Sequence, residues 1–257
     1  MFSSVLSISD LSKSFEVEGA RFVALASTGL ELGRNEIVAV IGPSGCGKST
    51  LLRCIAGLEH PDTGRIRIEG NDVTRPGQGS ALVFQDHRLL PWLTVRANVE
   101  LALEPLRLSR ADQTRRAARY IELVGLSRFA DSFPRQLSGG MAQRAALARA
   151  LAVETGLVLM DEPFGALDSI LRSRMQDELL KIWQEHQVSI LIVTHDIEEA
   201  LYLADRVVVM RPDPGHIQET VEIALPRPRQ RDSAAFGALR SRLLAALAES
   251  APGRRVA

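Results

Sequence analysis

Residues 36–50 read EIVAVIGPSGCGKST. Residues 36–41 form a short run rich in Val and Ile that stops at a glycine, the pattern of a strand buried on both faces. From Lys48 to Gly57 the pattern changes to that of a helix. Between them, Gly42, Gly47, Lys48 and Ser49 satisfy the spacing G-x-x-x-x-G-K-[ST] in the strand–loop–helix context that gives this motif its meaning. Glycines let the backbone wrap closely with its N–H groups turned inward. The helix N-terminus adds partial positive charge, Lys48 supplies a mobile cation for the β- and γ-phosphates, and the Ser49 hydroxyl is placed for Mg²⁺. The whole stretch Gly42, Pro43, Ser44, Gly45, Cys46, Gly47, Lys48, Ser49 and Thr50 is therefore predicted to bind nucleotide. A chance glycine-rich turn is the competing reading, and the flanking strand and helix weigh against it.

Outward from this loop, strands are predicted at residues 5–11, 65–69, 81–84, 157–161, 190–194 and 206–210. Residues 86–152 are instead dominated by helix-period segments such as ADQTRRAARYIELVGL and SGGMAQRAALARALA. Strands alternating with helices imply an α/β fold with a mainly parallel sheet, interrupted in sequence by a helical block. The sequence RPDPG at 211–215 reads as a turn. PRPRQR at 226–231 reads as a linker, and residues 232–248 suit a short amphipathic helix within an arginine-rich tail taken to be solvated.

The chain has 257 residues, of which 46% are hydrophobic, enough for one large core or a core with a small lobe. Lys+Arg and Asp+Glu balance at 31 each, so no global field draws the chain to nucleic acid or anionic lipid. Only Lys13, Lys48 and Lys181 are lysine against a background of arginine, which sets Lys48 apart. The two cysteines, Cys46 and Cys54, make no disulfide framework and are read as small packing residues. The N-terminus lacks a signal-peptide pattern. The apolar runs fall short of the roughly 18 residues a bilayer span needs, so a soluble, cytoplasmic chain is expected.

Residues 157–162 read LVLMDE, an apolar strand delivering two adjacent carboxylates. Asp161 is placed to hold the Mg²⁺ sphere, and Glu162, one residue on, to orient or deprotonate an attacking water. A solvated acidic strand end is the alternative, disfavoured by the phosphate loop upstream.

Further residues resemble the ATP-binding-cassette superfamily. LSGGM at 137–141 is close to that family's LSGGQ signature, Gln85 in VFQD resembles its Q-loop glutamine, and His195 in IVTHD its switch histidine. Ala166, Leu167 and Asp168 resemble its D-loop. The resemblance spans residues 5–225 and implies a P-loop NTPase of the cassette type, with a mainly parallel core, an inserted helical subdomain and an antiparallel β subdomain. It implies ATP and Mg²⁺ as ligands. It gives Glu162, His195 and Gln85 catalytic roles, and Ser49, Gln85 and Asp161 to the metal, Asp161 directly or through water. Phe15 resembles the family's adenine-stacking aromatic. It assigns Ser138, Gly139 and Gly140 to the γ-phosphate of ATP held by a second copy in a head-to-tail dimer. Physically, SGG at a helix start offers a hydroxyl, N–H groups and a dipole to an anion. A simple helix N-cap is the plainer alternative. Met141 departs from the usual Gln, which leaves in doubt only contacts that need that amide.

FQDHRLLPW, LSGGM, EPFGALD and RPDPG together resemble the nitrate, sulfonate and taurine importer group, aliphatic-sulfonate importers above all. By that resemblance residues 1–226 are the ATPase domain, with residues 86–152 as its helical subdomain and 227–257 as linker and short helix. The partners implied are a second copy, two membrane permease subunits and, through them, a periplasmic or extracellular solute-binding protein. The place implied is the cytoplasmic face of the inner membrane. Leu89, Leu90, Pro91 and Trp92 are expected to be exposed where a permease docks. A nitrate or taurine importer is the near alternative. A soluble cassette acting on nucleic acid or ribosomes is the distant one, opposed by the absence of heptads or a basic stripe.

Overall fold

The structure is a computed structural model and describes residues 4–165 and 167–249. In chain order the elements begin with strands β1 (Ser4–Val17), β2 (Ala20–Gly33) and β3 (Ile37–Ile41), followed by helix α1 (Lys48–Ile55). Strands β4 (Thr63–Ile68), β5 (Asn71–Asp72) and β6 (Ser80–Val83) precede helices α2 (Val95–Leu103), α3 (Arg110–Leu123) and α4 (Gly139–Leu151). Then come β7 (Leu157–Asp161), α5 (Ser169–His186), β8 (Ser189–Val193), α6 (Ile197–Leu203), β9 (Arg206–Arg211), β10 (His216–Glu222) and α7 (Ala234–Glu249). They fall into two compact units, residues 1–79 with 189–257, and residues 80–188.

In the first unit β1 lies between β2 and β4, antiparallel to both, and β5 pairs with β4. The β1–β2 turn is Glu18-Gly19, with φ of 51° and 79°. Two left-handed residues match the twist of a two-residue hairpin, and glycine takes the second without a Cβ penalty. A second sheet has β3 parallel to both β8 and β9, with β10 antiparallel on the far side of β9. Every residue of β3 and β8 is buried, as the unbroken apolar runs require.

The strands β2 and β10 go beyond the sequence expectation. In β2, ARFVALASTGLELG alternates irregularly, and its first four residues are exposed, so its register comes from the tight hairpin. In β10, HIQETVE buries only Val221 fully; pairing with β9 supplies the rest.

In the second unit β6 and β7 pair in parallel, and α2, α3 and α4 pack on one another, the helical block expected at 86–152. The α2 and α3 N-termini are capped by Thr94 and Ser109, which accept from Ala97 N and Asp112 N.

The C-terminal segment differs from the solvated tail expected. Its helix is present, but Phe236, Leu243 and Ala246 are buried at 1%, 0% and 6% exposure, spaced to share one helical face. Arg229, inside the supposed linker, is 5% exposed. The reason is that backbone carbonyls elsewhere in the unit need donors, and these arginines supply them. Residues 250–257 lie outside the described residues.

Candidate functional site

In the first unit the loop predicted to bind phosphate runs from the buried end of β3 to the start of α1. Gly42 is buried, and a Cβ there would come within 2.6 Å of Cys46 Sγ and 2.7 Å of the Met210 carbonyl. Gly47 has φ of 91°, and a Cβ would meet the Ala24 carbonyl at 2.6 Å. Both positions therefore demand glycine, for space at the first and for space and dihedral at the second. Gly47 is also the N-cap of α1 and brings no side chain to the helix's first N–H groups. The first turn carries no acidic residue. Lys48 is buried; its Nζ donates to the carbonyls of Gly42 at 2.8 Å and Pro43 at 2.9 Å. Ser44, Gly45 and Ser49 are exposed, while Pro43 and Thr50 are half-buried. This cradle fits phosphate oxygens: helix N–H groups, a left-handed glycine turn and an ammonium already folded over the loop.

Cys46 and Cys54 are both buried thiols. Burial raises the Cys46 pKa, against a lowering by Lys48, and pushes Cys54 up to about 11. Neither has the character of a reactive thiolate. Phe15 is half-buried, faces Phe22 across the hairpin, and carries the Lys13 ammonium 5.1 Å from its ring centre. It is thus not a core phenylalanine. His195 is exposed in the bend between β8 and α6, and its neighbour Asp196 caps α6 by accepting from Glu198 N and Glu199 N at 2.9 and 3.1 Å.

In the second unit, β7 ends at Asp161, and Glu162 has φ of 44°. That left-handed conformation costs a non-glycine residue about 1–2 kcal/mol and belongs with functional turns. Gln85, exposed just past β6, donates from Nε2 to Glu162 Oε2 at 3.1 Å. Two residues 77 positions apart are brought together because β6 and β7 run parallel and end side by side. Asp161 is half-buried. The Asp161 carboxylate and the Gln85 amide carbonyl are oxygen donors of the kind a hard cation such as Mg²⁺ takes.

The SGG segment stands at the N-terminus of α4. Ser138 and Gly139 are exposed, and Ser138 Oγ accepts from Met141 N at 3.3 Å, so the hydroxyl also acts as an N-cap. Gly140 is buried, and a Cβ on it would strike the Leu171 side chain. Leu171 lies in the first turn of α5, which Asp168 caps by accepting from Ile170 N at 3.1 Å and Leu171 N at 3.0 Å. Gly140 thereby lets the α4 and α5 N-termini approach closely. Ala166 of the expected D-loop lies outside the described residues.

The segment at 89–92 is exposed only in part. Leu89 is 7% exposed and Leu90 half-buried, whereas Pro91 and Trp92 are exposed, Trp92 at 69%. The cause is Asn98, fully buried: its Oδ1 accepts from Leu90 N, and its Nδ2 faces the carbonyls of Leu90, Leu93 and Thr94 at 3.0–3.2 Å. Arg149 from α4 likewise donates to the carbonyls of His87 and Arg88. Neither residue stood out in the sequence. A polar residue inside an apolar helix period was the signal for Asn98, and Arg149 was one arginine among many.

No helix among the described residues is long and apolar enough to cross a membrane. The profile described as "ABC transporter" matches residues 25–165. The chain is 48% identical to an uncharacterized ABC transporter ATP-binding protein, MJ0412, of Methanocaldococcus jannaschii, over 93% of this chain and 90% of that one. It is 42% identical to the aliphatic sulfonates import ATP-binding protein SsuB of Bacillus cereus, over 93% and 94%. Among solved structures it is similar to a dimeric ATP-binding cassette, MJ0796, in a post-hydrolysis state bound to ADP and Pi. That likeness has 30% identity and a TM-score of 0.76, over 86% of this chain and all of that one.

Proposed function

The chain belongs to the ABC transporter family, and on that premise we propose that it is the ATP-hydrolysing subunit of an importer of aliphatic sulfonates. Its relatives of the family are ATP-binding subunits, and the sulfonate assignment is supported by the name of the Bacillus cereus relative. The observation that carries the hydrolytic reading is the Gln85–Glu162 hydrogen bond at 3.1 Å, a carboxylate held by an amide at the end of the strand that also carries Asp161.

In this reading residues 42–50 bind the phosphates through backbone N–H groups and Lys48, and Phe15 stacks on adenine. Ser49, Gln85 and Asp161 would hold Mg²⁺, which would supply positive charge to offset that of the phosphates. Glu162 takes the proton from the attacking water, His195 contacts the γ-phosphate, and Gln85 keeps the Glu162 carboxylate oriented before the reaction. Ser138, Gly139 and Gly140 reach the nucleotide of a second copy, with Asp168 beside them in the D-loop. Residues 1–226 form the ATPase domain, residues 86–152 its helical subdomain and residues 227–257 a C-terminal extension. The chain then works at the cytoplasmic face of the membrane on two permease subunits fed by a solute-binding protein.

Glu162→Gln tests the mechanism. ATP binding should persist, single-turnover hydrolysis should fall by about 10²–10⁴-fold, and a dimer should accumulate on adding ATP and Mg²⁺. Wild-type hydrolysis in this variant would remove Glu162 from the mechanism. A gene deletion tests the substrate: growth on an alkanesulfonate as sole sulfur source should stop while growth on sulfate continues. Unchanged growth on the sulfonate would refute that assignment.

A further inference from the structure

Helix α6 follows His195 directly and is seven residues long. Such a helix contributes little stability of its own, and the carbonyls at its C-terminal end, those of its last three residues and of the C-cap, have no partner inside it. The carbonyls of Leu201, Tyr202, Leu203 and the C-cap Ala204 are taken by two arginines from the segment read in sequence as a linker. Arg229 Nη1 donates to Leu201 O at 2.6 Å, Tyr202 O at 3.2 Å and Ala204 O at 2.6 Å. Arg227 Nη2 donates to Leu203 O at 2.6 Å. Arg229 also reaches back to the carbonyls of Ile223 and Leu225. Burial, with Arg227 nearby, pushes the Arg229 pKa down to about 10, which still leaves it charged at neutral pH.

The same C-terminal segment grips α6 at two further points. Arg240 of α7 pairs with Glu198 in the first turn of α6 at 3.0 Å, and the Arg231 guanidinium lies 4.0 Å from the Tyr202 ring centre. Arg227 Nη1 also pairs with Asp205 Oδ1 at 2.5 Å. The other oxygen of that carboxylate accepts from Ile37 N at 2.9 Å, the first residue of the strand that leads into the phosphate loop.

We propose that Arg229, with Arg227 and α7, braces α6 so that His195 is held in place for hydrolysis, making Arg229 a positioning residue and residues 227–249 part of the catalytic apparatus. The proposal rests on the role assigned above to His195. Cationic groups at a helix C-terminus are favourable to begin with. A guanidinium spans several carbonyls in one plane, as an ammonium does not. The Asp196 cap closes the N-terminal end of α6, next to His195, and the arginines close its C-terminal end.

The test uses the full-length chain. In Arg229→Leu the single-turnover hydrolysis rate should fall by about 10–10²-fold, the scale of loss that small misplacements cause, with nucleotide affinity unchanged. Arg229→Lys, which keeps the charge, should recover part of the rate. If Arg229→Leu does not fold, the lysine variant carries the test alone and should still show a lowered rate at unchanged affinity. In a His195→Ala background, where the histidine no longer contributes, Arg229→Leu should lower the residual rate little further. The proposal alone falls if His195→Ala is slow while Arg229 variants hydrolyse normally, or if the Arg229 loss is as large without His195 as with it. If His195→Ala hydrolyses at the wild-type rate, the reading of His195 falls and the brace falls with it.

Discussion

Lys48→Ala should lower stability and nucleotide affinity by separable amounts. Without nucleotide the Lys48 ammonium satisfies the carbonyls of Gly42 and Pro43 at 2.8 and 2.9 Å. Hydrogen bonds to a charged group contribute about 1.5–3 kcal/mol, and water can reach the half-buried Pro43 carbonyl in the variant, so about 2 kcal/mol is expected to be lost. For a chain of this size that is a melting temperature lower by about 4–8 °C. The effect on ATP is larger. An ammonium about 4 Å from a phosphate charge, at an effective dielectric of about 20, is worth about 4 kcal/mol, which corresponds to roughly a thousandfold in Kd. Thermal melting with and without ATP, set beside direct titration of nucleotide, reads both quantities. At ATP near a hundred times its Kd, the wild type gains about 2.7 kcal/mol, and the variant should gain almost nothing at the same concentration. A variant that melts lower but binds ATP as tightly as wild type would show that the lysine serves only the loop's own carbonyls, and the phosphate reading would be wrong.

The exposed Trp92, held out by the Asn98 hydrogen bonds, should matter for docking: Trp92→Ala should keep ATP binding but lose affinity for the permease, and equal affinity would refute the assignment. Mixing a Lys48 variant with a Ser138 variant should regain part of the hydrolysis that each lacks, since one composite site per heterodimer is intact; no gain on mixing would refute a signature acting in trans. Tyr120 donates to Glu154 Oε1 at 3.0 Å, and burial together with Glu154 pushes it up to about 12 from 10. A raised folded pKa gives stability that is complete below about pH 10 and lost toward about pH 12, so chemical denaturation across that range should show a limb that Tyr120→Phe lacks. An identical limb in both proteins would refute this origin.

The glycine loop between β3 and α1, the apolar strands and the adjacent carboxylates at the end of β7 were legible in the sequence because each depends on neighbouring residues. A strand buried on both faces is written as a continuous apolar run, and a phosphate cradle as glycines at fixed spacing. The helix start at Ser138 was readable for the same reason, since the cap and the N–H group it serves are three residues apart; that Asp168 also caps a helix emerges only from the structure. What only the tertiary structure decided are pairings between residues far apart in the chain. Gln85 meets Glu162 because two parallel strands end together. Asn98 withdraws Leu89 and Leu90 and leaves Trp92 exposed, which a run of four apolar or ring residues does not reveal. PRPRQR looked like a linker because arginine and proline are usually solvated. Arg229 is instead buried, and Arg227 half-buried, against the open carbonyls at the end of a short helix, and where a backbone acceptor lacks a donor is a property of the folded chain, not of composition.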